Sequence, residues 1–127
     1  MRLRLAAALL AAPFLAVPAA AQSIMTLNHI VTDNMPHAEC MSRANRTLQA
    51  AGLLYHDTTS EAVWGLSQDR QYMVSIYCLK TRDVAVFAAT GAEGSITGSL
   101  VTSMTNAWQG LAMRPAPGPA PQPTPSK

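Results

Sequence analysis

The residues of widest chemical reach in this sequence are two cysteines, three histidines and seven methionines. Cys40 and Cys78 form no C-x-x-C, the spacing on which thioredoxin-like redox chemistry depends. In an oxidising compartment such a pair is expected to be a structural disulfide, with a redox-labile bridge as the other reading. The metal candidates are His29, Met35 and His37, with Met25, Cys40, Met41 and His56 near them in sequence. Met and His are ligands that copper accepts in exported proteins. However, neither H-x-x-x-H nor H-E-x-x-H occurs, and a disulfide would occupy both sulfurs. The chain is therefore read as holding no metal and no cofactor. On this reading His37 is a helix-start residue, His29 a half-buried strand residue, and the methionines fill the core.

Other catalytic arrangements are equally thin. Nucleophilic catalysis needs a serine or thiol beside a base and an orienting acid, and no G-x-S-x-G is present. The seven acidic residues are scattered. Asp57 and Glu61 come closest to a polar cluster, with His56, in a stretch that reads as a solvated loop. The loop from Thr90 to Ser95 precedes a helix but lacks G-x-G-x-x-G and a P-loop lysine, and Glu93 would repel phosphate. The chain is read as non-enzymatic.

The ends of the chain bound what remains. Arg2 and Arg4 precede an almost wholly apolar run from Leu5 to Val17, and Pro18-Ala19-Ala20-Ala21 follows with small residues at the A-x-A positions. This is the pattern of a signal peptide, residues 1–21, cut after Ala21. Localisation is therefore expected to be periplasmic or secreted, with no membrane span after cleavage. The formal net charge of +2 comes from Arg2 and Arg4; the rest balances seven Lys/Arg against seven Asp/Glu. Nucleic-acid binding, which needs clusters that neutralise phosphates, is not expected. From Pro115 to Pro125 proline takes every second position. Residues 114–127 are read as a disordered, extended tail of polyproline II character, with a spacer or a proline-recognising partner as the other role.

Residues 22–113 are left for a single domain. Ser23–Val31 alternates as a first strand. Pro36–Ala51 has a helical stripe of His37, Cys40, Met41, Ala44, Leu48 and Ala51, with Asp33 or Asn34 as the expected cap and Gly52 as the stop. Leu53–Leu66 is irregular: Leu53–Tyr55 begins as strand, His56–Ser60 reads as bulge or loop, and Glu61–Leu66 resumes. Gln71–Lys80 is the strongest strand signal. It sets Tyr72, Val74, Ile76 and Cys78 on one face and Met73, Ser75, Tyr77 and Leu79 on the other. Val84–Ala89 is a short apolar strand. Ser95 is expected to cap a second helix to about Leu111, which carries no charge on its polar face.

The order β-α-β-β-β-α predicts an α+β two-layer sandwich: an antiparallel sheet of about four strands with two helices on one face. A Cys40–Cys78 bond would tie the first helix to the face bearing Val74 and Ile76. The opposite face, with Met73, Tyr77 and Leu79, would be apolar and uncovered, and such patches mark interaction sites. A homodimer or a protein partner is expected there.

The signal segment, the helix PHAECMSRANRTLQAAGLL, the VWG segment and the strand ending SIYCL resemble small exported bacterial proteins of unknown function. In these a cysteine early in the first helix matches one late in a strand, followed by an apolar strand and a last helix. The resemblance covers most of Pro36 to Trp108. It implies an α+β fold and a periplasmic home and carries no activity. Together these readings describe an exported binding or structural domain acting through protein contact, the alternative being a periplasmic copper-binding or redox-related protein.

Overall fold

The computed structural model describes residues 22–112. The expected signal peptide (residues 1–21) and proline-rich tail (residues 114–127) lie outside the described residues. Seven elements follow one another: β1 (Ile24–Val31), α1 (His37–Ala50), β2 (Leu54–Thr58), β3 (Ala62–Leu66), β4 (Met73–Leu79), β5 (Val84–Gly91) and α2 (Gly94–Ala112). The strands form one antiparallel sheet in the order β1-β5-β4-β3-β2. Both helices pack on the same face, α1 over β2, β3 and β4, and α2 over β1 and β5. The α+β sandwich is thus present, with five strands rather than about four.

The extra strand comes from the polar stretch read as bulge or loop. Leu54–Thr58 pairs with Ala62–Leu66, with a register shift between Tyr55 and Asp57. An edge strand that covers no core needs no apolar face, so His56–Thr58 can be strand despite its polarity. From Tyr55 to Thr58 all of β2 is exposed.

The start of α1 also differs from expectation. Asp33 and Asn34 take positive φ, 44° and 60°, in a tight turn, and neither side chain caps the helix. The helix begins at His37 after Pro36, whose fixed φ suits a helix entry. Its end is as the glycine implied. Gly52 sits at φ 71°, and Gly52 N–H and Leu53 N–H donate to the Gln49 and Leu48 carbonyls. That is a helix stop built on a left-handed residue.

The core lies between the helices and β3, β4 and β5. Leu48, Val63, Val74, Ile76, Phe87, Met104 and Trp108 are buried in it. Phe87 and Trp108 meet edge to face, with ring centres 5.4 Å apart. Cys40 and Cys78 form a disulfide, Cα–Cα 6.0 Å, which joins α1 to β4. One glycine is required by close approach: a Cβ on Gly91 would run into the Tyr72 ring, which lies across the end of β5.

Candidate functional site

The face of the sheet away from the helices is built from alternate residues whose register the pairing fixes. β1 contributes Met25, Leu27, His29 and Val31; β5 Thr90, Ala88, Val86 and Val84; β4 Met73, Ser75, Tyr77 and Leu79; β3 Leu66, Trp64 and Ala62. One row across the sheet reads Leu27–Ala88–Ser75–Trp64. Its two central residues are small and its outer two are large, so the row forms a floor between walls. Ser75 and Ala88 are buried even though they lie on the uncovered face. Trp64 and Tyr77 make one wall as an edge-to-face pair, ring centres 5.5 Å apart. Met25, Leu27 and Met73 close the others.

The resulting groove has a volume of about 160 Å³ and is lined by no charged side chain. Around it the apolar surface continues: Met25 is 62% exposed and Leu27 58%, and Val31, Met73 and Leu79 are also exposed. Groups of this kind in contact with water are costly unless something covers them.

The interface residues expected from the sequence fall on this face, but they do not act alike. Met73 and Tyr77 line the groove, whereas Leu79 lies beyond it, at a small hollow beside the disulfide. Trp64, Leu27, Ala88 and Val86 complete the groove and were not singled out by the sequence. Their alternation is visible strand by strand, but the cross-strand register that aligns them is not.

The metal candidates are separated. His29 lies on the outer face opposite Val86. Met35 and His37 line the hollow beside Cys40 and Cys78 instead. His37 Nε2 lies 2.8 Å from the Ser60 carbonyl, and its Nδ1 is buried without a hydrogen-bond partner. Among the described residues no group of three or more His, Cys, Asp or Glu side chains comes together to hold a metal ion. Likewise, none of the described helices is long and apolar enough to cross a membrane.

Away from the outer face, the helix pair is pinned by Arg43, which helical spacing placed off the buried stripe. Its guanidinium carbon stands 4.5 Å from the Trp108 ring centre, and Nη2–H donates to the Trp108 carbonyl at 2.7 Å. Burial lowers the Arg43 pKa, helped by Arg46 and opposed by Glu39. Burial, with Glu93 and Asp69 nearby, raises that of Tyr72.

No protein-family model and no curated protein matches the chain.

Proposed function

We propose that this chain is an exported, non-enzymatic binding domain that works through protein contact on the outer face of its sheet, in the first instance with a second copy of itself. The observation that carries the reading is the uncharged groove walled by Trp64 and Tyr77 and surrounded by exposed Met25, Leu27, Met73 and Leu79. Aromatic residues and methionine are the types enriched at the centres of protein interfaces, where charge is depleted. A disulfide and the absence of a spanning helix among the described residues are compatible with export. Sedimentation of residues 22–127 at micromolar concentration tests it: a dimer that Tyr77→Asp dissociates is expected. A monomer, together with recovery of no stoichiometric partner from the periplasm, would end the reading.

The second reading, copper or redox chemistry, is favoured by the hollow in which Met35, His37 and the disulfide meet. His37 Nδ1, buried there without a hydrogen-bond partner, is a candidate ligand atom beside Met35. Copper titration of the oxidised and reduced protein decides it, since no binding at micromolar metal removes it.

A further inference from the structure

The two edges of the sheet are unequal. β2 is short, bulged at Tyr55/Asp57 and carries His56 and Asp57, features that blunt an edge. β1 has eight residues, no bulge, no proline and no charged residue, and among the described residues it pairs only with β5. Its free hydrogen-bonding groups can be assigned. Thr32 N–H donates to the Asp83 carbonyl at 2.7 Å, so the even-numbered residues of β1 point their backbone groups at β5. The odd-numbered ones, Met25, Leu27, His29 and Val31, therefore point theirs outward. The His29 N–H is met by its neighbour's side chain, Asn28 Oδ1, at 2.8 Å. Among the described residues, four of the seven exposed large apolar side chains, Ile24, Met25, Leu27 and Val31, also lie on this strand. The edge therefore lacks apolar cover as well as a hydrogen-bond partner.

A second β1 fits this edge in the antiparallel sense. The outward residues are symmetric about Asn28. A twofold axis at that position sets Leu27 against His29 of the second copy and Met25 against Val31 of the second copy. Such pairs exchange both backbone bonds, so every outward N–H and C=O from Met25 to Val31 finds a partner. On the outer face, exposed Met25 then covers exposed Val31. The residue on the axis must meet itself, with Cβ atoms about 5 Å apart. Asn28 is exposed and shares the helix side of β1 with Thr26, whose hydroxyl bonds that of Thr97 in α2. A carboxamide both donates and accepts, so it can face its own copy; a lysine or an aspartate there would repel it.

The helix layer agrees with this axis. α2 sits over β1 and β5. Strands are spaced about 4.8 Å apart, so in a joined sheet the two copies of α2, each over its own pair of strands, stand about 10 Å apart, near the distance at which helices pack. α2 carries no charged residue. Its Gly94 borders Ile24 of β1, and a side chain at Gly98 would meet nothing within 4 Å. An open, uncharged groove runs along Gly94, Gly98 and Thr102. Neither layer brings like charges together across the axis.

We propose that β1 is a self-recognition edge: two copies of the chain join through it, antiparallel about an axis at Asn28, into one sheet that runs through both molecules. This contact is separate from the groove on the outer face and does not rest on that reading. An edge pair buries less than a standard interface, so association through it is expected above the micromolar range.

Sedimentation of residues 22–127 carrying Tyr77→Asp, which sets the outer face aside, tests this between about 10 micromolar and about 1 millimolar. A monomer–dimer equilibrium is expected, and a monomer throughout overturns the proposal. Asn28→Asp sets two carboxylates against each other on the axis and should weaken the dimer about tenfold or more, whereas Asn28→Thr should leave it in place. His29→Pro removes an outward N–H without costing a bond to β5, and should also abolish pairing. A dimer indifferent to Asn28→Asp and His29→Pro overturns the edge assignment. In a mixture of isotope-labelled and unlabelled chains, the α-protons of Thr26 and Ile30 should touch across the two molecules; contacts in another register overturn the axis. The Met25, Leu27 and Val31 amides should exchange more slowly as concentration rises. Slow exchange of these amides at every concentration would mean that the edge is already covered within one chain, and would overturn the proposal.

Discussion

Arg43 holds α1 to α2 through one planar group, stacked on the Trp108 ring and bonded to that residue's carbonyl. A lysine keeps the charge but loses the flat surface and the forked donors. Arg43→Lys should therefore destabilise the fold by about 1 kcal/mol, read as a lower urea midpoint with unchanged slope. The helical period placed the Arg43 backbone on the solvent side of the stripe, but it says nothing of where a long side chain can reach. Ser75 was hidden for a related reason. Alternation put it on the outer face with Met73 and Tyr77, where it lies. Its burial as the floor of the groove depends on Ala88 and Trp64 arriving beside it, and those neighbours come from two other strands.

At the level of elements, the Cys40–Cys78 bond closes a separation of 38 residues between α1 and β4. Replacing both cysteines with Ala should cost about 4 kcal/mol in the chain-entropy account of a loop this long, measured by denaturant unfolding. The turn from β3 to β4 has its own lock. Asp69 Oδ1 accepts from the Ser67 hydroxyl and from Gln71 N–H, while Ser67 Oγ accepts from Tyr72 N–H. These bonds hold the Asp69 carboxyl below its ordinary pKa, the Ser67 bond foremost. Because the folded value is the depressed one, the turn's contribution is present at neutral pH and is lost as pH falls below the usual carboxylate range. Asp69→Asn should abolish that acid-side loosening, followed through the Gln71 and Tyr72 amide shifts. Elements with a strong apolar rhythm, such as β4, β5 and both helix stripes, were legible in the sequence because each buries one face. β2 was not, since it buries almost nothing and its residues look like loop.

For the molecule as a whole, the proposed association and the fold should respond to different changes. Removing the disulfide should lower stability and leave association intact, whereas Tyr77→Asp should weaken association more than it harms the fold. Sedimentation and urea unfolding of both variants check the pair, and a reversal of the two effects would mean that the outer face is not the contact. The inner face of the sheet could be read from the cysteines and the helix stripes. The outer face could be read only as apolar, because its groove is a product of register. The contrast between the sheet's edges reaches furthest at this scale. In the language of polymerisation, a protomer that adds at both edges has a functionality of two and grows into a fibre. The bulge in β2 removes one of those ends, so the sheet keeps a functionality of one, at β1. Such a molecule can pair once, edge to edge, and stop.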